Sequence, residues 1–247
     1  MPLDPNQNKE QWLGLMLGNS RLHWAYFQGK NLLRNGHGQQ IPSLDWEQLH
    51  RGCPLYLASV VPQQLAPWQT RFKTRLLTLA DIPLKNLYPT LGIDRGLASW
   101  GASLVYGFPC LVIDAGTALT LTAIDEHQGF WGGAILPGLA LQWSALHQHT
   151  GALPQISCPD RLPQRWALNT PDALAAGVIY TVLAGLDDYI QQWLCHFPQG
   201  RILLTGGDGE VLASYCQEQV FPWVESLKQD ENLIFWGMRG IFLQDLA

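Results

Sequence analysis

Charge is scarce in this chain. Of its 247 residues only 14% are charged, with 15 Lys+Arg against 20 Asp+Glu and a formal net charge of −5. So mild an acidic balance argues against duplex nucleic acid as the main partner, because that needs a concentrated basic face. It leaves room for a small anion, which needs only a local site. Cysteine is sparse too. Cys53, Cys110, Cys158, Cys195 and Cys216 make an odd count with no CxxC and no His/Cys cluster. That argues against a disulfide framework or a structural zinc site, and for a reducing, cytoplasmic compartment. No run approaches the roughly 18 apolar residues of a membrane span. Residues 1–11 are polar with two prolines and do not read as a signal peptide. The seven histidines show no metal-ligand spacing, and all read as surface residues. His147 and His149 are two apart and would point apart on a helix.

Apolar material, by contrast, is plentiful. Hydrophobic residues make up 47% of the chain, ample for a core, so intrinsic disorder is excluded. The length fits one large domain or two small ones. The eleven tryptophans read as core and interface filler.

An internal repeat organises the chain. Residues 13–29 read LGLMLGNSRLHWAYFQG and residues 111–127 read LVIDAGTALTLTAIDEH. At an offset of 98, Leu13 pairs with Leu111, Leu15 with Ile113, Gly18 with Gly116, Asn19 with Thr117 and Ala25 with Ala123. Each copy is a β-prone run, a glycine with a small polar residue, and a second apolar run: strand, tight turn, returning strand. Glycine in each turn is expected to take positive φ and to leave successive N–H groups facing outward as an anion-binding concavity. Two copies imply two related domains facing one another, though two unrelated hairpins would read similarly.

The rest alternates between strand and helix. Residues 54–60 read as a buried strand, 63–80 as a helix, 94–107 as a helix opened by Asp94, and 138–149 as a helix. A Pro-rich loop follows. Residues 171–195 form the clearest helix, with Thr170 as N-cap, Pro171 at the first helical position, Asp172 in the first turn, and Leu174, Val178, Val182, Leu186, Ile190 and Trp193 at helical spacing. Residues 201–205 form a strand ending in Gly206-Gly207-Asp208-Gly209, and 233–245 close the chain as an apolar segment.

Few residues are placed to carry chemistry. Asp114 ends an apolar strand before Ala-Gly-Thr, where a carboxylate could hold a cation while the following N–H groups hold phosphate oxygens; an Asx-turn would look the same. Asp94 and Arg95 could pair a general base with an anion clamp, or be a helix cap beside a surface arginine. Gly206-Gly207 could let a ring or sugar lie against backbone, or be a plain turn. Gly132-Gly133 and Pro137-Gly138 read as turn punctuation.

Together, LGNS (17–20), LGIDR (91–95), VIDAGTALT (112–120), GGAILPGL (132–139), Asn169-Thr170 and LTGGDG (204–209) resemble type III pantothenate kinases of the actin-like ATPase superfamily, from about residue 13 to 240. The resemblance implies an α/β fold of two ribonuclease-H-like domains facing across a cleft, residues 1–108 and 109–247, with the last helix able to pack back on the first domain. It implies ATP-dependent phosphorylation of pantothenate to 4′-phosphopantothenate, the first step toward coenzyme A. Asp94 would be the general base. Tyr88, Gly92, Ile93, Asp94, Arg95 and Thr170 would contact pantothenate. Leu17, Gly18, Asn19, Ser20, Arg21, Gly116, Thr117, Gly206 and Gly207 would contact ATP. Asp114 would bind a monovalent cation, potassium or ammonium, and Mg²⁺ would accompany ATP. Family members are cytoplasmic homodimers, with no membrane or nucleic-acid partner implied.

Two features depart from the pattern: Tyr88 stands only six residues before Asp94, a gap that is longer in many relatives, and the first phosphate motif lacks its Asp. The family's first phosphate motif usually reads Asp-x-Gly-Asn-Thr, and here the Asp position is Met16. A thioether does not suit Mg²⁺, which takes oxygen ligands. Water or Asp125 would have to substitute, or activity would be weak. Otherwise the chain would be a non-catalytic, regulatory relative that binds ATP or a partner without turnover. A kinase of the same fold acting on a sugar or carboxylic acid is disfavoured by GIDR and by the short chain.

Overall fold

The computed structural model describes residues 10–38, 53–71 and 73–246. Most of the expected polar N-terminus therefore lies outside the described residues. The chain divides into two compact units: Met1–Val105 with Asn232–Ala247, and Tyr106–Glu231.

The first unit is built on a five-stranded sheet, ordered β3-β2-β1-β4-β5. Its strands are β1 (Gln11–Leu17), β2 (Leu22–Gln28), β3 (Asn31–Gly38), β4 (Leu55–Ser59) and β5 (Thr74–Leu76). β1, β2 and β3 form an antiparallel meander, while β4 and β5 run parallel to β1. β1 is apolar along nearly its whole length because both its faces are covered. Leu13, Leu15 and Leu17 pack with Trp24, Leu55 and Leu57 on one face. On the other lie Trp12, Gly14 and Met16. Trp12 is fully buried, stacked 4.2 Å from Phe27 and 4.6 Å from Phe242, and its indole N–H donates to the Gly29 carbonyl at 2.9 Å. Phe242 belongs to the last helix. Three helices complete the unit: α1 (Ala66–Arg71), α2 (Ile93–Tyr106) and α6 (Leu233–Asp245), numbered in chain order with those below.

α2 and α6 cross at glycines. A Cβ on Gly101 would run into the Leu233 carbonyl oxygen, and one on Gly237 into the Leu97 carbonyl oxygen. Glycine at both places brings the two backbones together and fixes α2, whose first turn carries Asp94.

The second unit repeats the plan. Its sheet is ordered β10-β9-β6-β7-β8, from β6 (Cys110–Ala115), β7 (Ala118–Ile124), β8 (Phe130–Pro137), β9 (Arg201–Thr205) and β10 (Leu227–Gln229). Again three strands form an antiparallel meander and two more run parallel to the first. Its helices are α3 (Leu139–His149), α4 (Thr170–His196) and α5 (Gly209–Glu218). α4 lends Val178, Ile179, Val182, Leu183, Leu186, Ile190 and Trp193 to the core. By length and composition α4 could cross a membrane, although no such run was expected from the sequence. Its apolar face is instead the middle of this core.

The repeat is therefore topological, and the pairing register refines it. Leu13 faces Tyr26 across the first hairpin, whereas Leu111 faces Ala123 across the second. The offset falls from 98 on the first strand to 97 on the second, because the second turn is one residue shorter. Ala25 thus corresponds to Thr122, not Ala123. Since a one-residue slip exchanges the faces of a strand, the expected pair would have sat on opposite faces.

Other expectations also change. The expected helix over 63–80 is broken up: a 3₁₀ turn at Pro62–Gln64, the short α1, then β5. Thr74–Leu76 join a parallel ladder on β4, and that tertiary pairing overrides the helical spacing. The N-cap of α4 is Asn169, whose side chain accepts from the Asp172 N–H, and Thr170 is the first helical residue. Gly132 and Gly133 lie inside β8 beside a register shift rather than in a turn. Of the tryptophans, Trp12, Trp24, Trp100, Trp143, Trp193 and Trp223 are core residues, but Trp131 and Trp166 are exposed.

Candidate active site

Asp94 sits in the first turn of α2, half-buried. Its Oδ1 accepts the backbone N–H of Arg95 at 2.8 Å. Burial raises the carboxyl above its ordinary value near 3.8, against the lowering effects of that hydrogen bond and of the Arg95 charge. The result is a carboxylate of strengthened basicity held in place. Gly92 is what makes room for it: a Cβ there would strike Asp94 Oδ1. Arg95 is 6% exposed, and its guanidinium donates to the Tyr88 hydroxyl at 3.0 Å. Tyr88 itself is exposed. Gly92, Asp94, Arg95 and Tyr88 therefore form one connected group. Ile93 is a buried side chain and offers only backbone.

The turn after β1 holds Gly18, Asn19, Ser20 and Arg21. The Gly18 N–H donates to the Arg21 carbonyl at 3.0 Å. Asn19, Ser20 and Arg21 are exposed, and Leu17 is buried in the core. In the second unit the Gly116 N–H likewise reaches across its turn to the Ala118 carbonyl at 3.2 Å. Neither glycine takes the positive φ that was expected. Their value is close approach: a Cβ on Gly18 would lie 2.9 Å from the Arg21 carbonyl oxygen, and one on Gly116 3.3 Å from Asp114 Oδ1.

Four strand ends meet around Asp114 in the second unit. Thr205 at the end of β9 is its parallel neighbour. Gly206 follows with φ +94, and a Cβ there would lie 2.5 Å from Asp114 Oδ1 and 2.6 Å from the Ala115 carbonyl oxygen. The Asp208 N–H donates to that same carbonyl at 2.9 Å. From β8 the Gly138 N–H donates to the Thr117 carbonyl at 2.9 Å, and its Cα packs so tightly on Gly116 that no side chain fits. α3 and α5 start here, and neither has a side-chain hydrogen bond at its cap. The Gly209 N–H at the start of α5 donates to the Gly206 carbonyl at 3.0 Å, and the dipoles of the two helices favour an anion at this end of the sheet. Pro137-Gly138, which reads in the sequence as turn punctuation, is thus packed against the Gly116–Thr117 turn. Thr170, exposed at the start of α4, lies in this unit as well.

Two further findings concern the departure at position 16. Met16 is 2% exposed, paired with His23 on β2 and Ala58 on β4. Asp125 does not serve as its substitute. Its Oδ1 accepts from the N–H groups of His127 and Gly129, which closes the β7–β8 hairpin at the end of β7 opposite Thr117. Among the described residues no cluster of three or more His, Cys, Asp or Glu could hold a metal ion.

Comparison with known proteins decides the family. A sequence model of the type III pantothenate kinases matches residues 12–192. The chain is 45% identical to a type III pantothenate kinase of Nostoc sp. (94% of this chain, 95% of the relative) and 47% identical to one of Synechocystis sp. (96% and 92%). The chain belongs to the type III pantothenate kinases. Among solved structures, the kinase resembles a conserved Baf family transcriptional activator from Campylobacter jejuni with a TM-score of 0.61 at 24% identity, covering 95% of this chain and 98% of that one. It also resembles MreB5 of Spiroplasma citri bound to ADP, with a TM-score of 0.54 at 10% identity over 97% and 98% of the two chains. At such identities the likeness concerns fold alone. Both units of the kinase share one sheet topology, and the chain has the fold of these two structures.

Proposed function

We propose that this kinase transfers the γ-phosphoryl group of ATP to the 4′-hydroxyl of pantothenate, with Asp94 as the base. The observation that carries the reading is the half-buried Asp94 carboxylate, held by the Arg95 N–H and given room by Gly92. The hydroxyl oxygen attacks the γ-phosphorus, its proton passes to Asp94, and the bond from phosphorus to the bridging oxygen breaks to release ADP. A primary alcohol is a weak nucleophile, so a base of raised pKa at the attacking oxygen matters. Arg95 and Tyr88 hold the anionic and polar parts of pantothenate, with the Gly92 and Ile93 backbone and Thr170 as further contacts.

The β1–β2 turn, Gly18 to Arg21, and the group Gly116, Thr117, Gly206 and Gly207 bind the phosphates of ATP. Leu17 contributes backbone only. Mg²⁺ arriving with ATP would supply charge neutralisation and would need no ligand from position 16, so the buried Met16 would leave turnover intact. Asp114 fits a potassium or ammonium ion. Its Oδ1 lies against the Gly206 backbone, where a Cβ would come within 2.5 Å of it, and the adjacent Ala115 carbonyl is a hard oxygen donor. The exposed apolar residues Trp131, Ile135, Trp166 and Leu168 support a homodimer. The scarcity of cysteine and of basic charge supports a cytoplasmic enzyme without nucleic-acid or membrane partners.

The test is ADP release by the purified chain with ATP and Mg²⁺, with or without pantothenate, in K⁺ or Na⁺. The reading expects release that requires pantothenate and is faster in K⁺. Release indifferent to pantothenate would refute the substrate, and equal rates in the two salts would remove the role of Asp114.

A further inference from the structure

We propose that His23 and His37 form a binding site for one borderline transition cation of the Zn²⁺, Ni²⁺ or Cu²⁺ class on the β2–β3 hairpin. The two residues are 14 apart in sequence, but the antiparallel register sets them directly opposite each other. Opposed residues on neighbouring strands project from the same face, with Cβ atoms about 5 Å apart. Their ring centroids are 5.8 Å apart.

That spacing is close to what a shared ion needs. With metal–nitrogen bonds of about 2.0–2.1 Å, each centroid lies roughly 3.2 Å from the ion, and a tetrahedral angle puts the centroids about 5.2 Å apart. A small rotation of the exposed His37 closes the difference of about 0.6 Å. Neither ring hydrogen-bonds another described residue, so the ring nitrogens are available. His23 is half-buried, and its burial, with the charges of His37 and Arg21, lowers its pKa and keeps it in the neutral, metal-binding form.

The donor set also selects the metal. Two imidazoles, with the Met16 thioether across from His23 on β1, suit borderline and soft cations. Mg²⁺ and K⁺ prefer oxygen, so this site does not compete with those that serve ATP. Solvent completes the coordination. An ion here would tie β3, the edge strand of its sheet, to β2 just beyond the Gly18–Arg21 turn.

The test is calorimetric titration of the full chain with Ni²⁺ after EDTA treatment and desalting, in a C158S/C195S background that removes the exposed thiols. Copper(II) EPR on the same protein reads the donor atoms. The expected result is one ion per chain, nitrogen hyperfine structure from two imidazoles, and at least tenfold weaker binding in both His23→Gln and His37→Gln. The exposed His37 can change without disturbing the fold, so an unaltered melting temperature of His37→Gln without metal qualifies that variant as the decisive one. Binding by His37→Gln as tight as the parent, or an EPR spectrum lacking two nitrogens, would overturn the proposal.

Discussion

Replacing Gly92 with alanine tests how Asp94 is positioned. The new Cβ would overlap Asp94 Oδ1 by about 1 Å or more relative to an ordinary contact of about 3.5 Å. The backbone at Gly92 is not left-handed, so alanine itself is tolerated there. The carboxylate is the end of a short side chain and can rotate away, so the strain falls on its position rather than on the fold. Displacing a catalytic group by about 1 Å lowers rate on the order of 100-fold, or about 2.7 kcal/mol of barrier. Meanwhile a Gly→Ala change at a compatible backbone stabilises by about 0.4–1 kcal/mol through the unfolded chain, which offsets the residual strain. The expected variant therefore folds with a melting temperature within a few degrees of the parent, while kcat drops about 100-fold. Steady-state kinetics on both substrates and a thermal melt decide the matter. A normal kcat, or a loss of activity that merely tracks a lowered melting temperature, would refute the reasoning.

Asp94→Asn should fold at least as stably as the parent at pH 8. Burial raises the Asp94 carboxyl, so its stabilising contribution is present below the ordinary value near 3.8 and is lost as pH rises through the folded value. Melting curves should converge at pH 3 and separate in favour of asparagine at neutral pH; the reverse order would contradict the buried carboxylate. Gly101→Ala puts a Cβ into the Leu233 carbonyl where α2 crosses α6, and should destabilise by about 1–3 kcal/mol or more in urea unfolding. Gly206→Ala pushes a Cβ against Asp114 Oδ1 and the Ala115 carbonyl from a residue at φ +94, and should abolish stimulation by K⁺ while leaving pantothenate binding in place; retained stimulation locates the ion elsewhere. Tyr88→Phe removes the acceptor of an Arg95 hydrogen bond and should raise KM for pantothenate more than it lowers kcat. An unchanged KM would free Tyr88 from the substrate.

Much of the architecture could be read from the chain because its local signals agree with its tertiary needs. The strands around Leu13 and Leu111 are apolar runs ending in glycine, and they became the central strands of two sheets of one topology. Asp94 and Arg95 stood out because a carboxylate beside a guanidinium at a helix start is locally recognisable. What sequence could not supply was contact between distant residues. β5 looks helical until its ladder on β4 is known. Gly138 looks like turn punctuation until it is seen packed on Gly116. His23 and His37 have no metal spacing along the chain, since the hairpin register alone brings them together. Even the repeat, clear in its first strand, slips in its second because one turn is a residue shorter, a difference that a fixed offset cannot register.

The most direct test of Asp94 as the base is single-turnover formation of 4′-phosphopantothenate, followed by mass spectrometry after rapid quenching, with enzyme in excess over bound ATP. The account predicts product in the wild-type kinase and a rate 10²–10⁴-fold lower in Asp94→Asn with ATP still bound. Product forming at the same rate in both would contradict it.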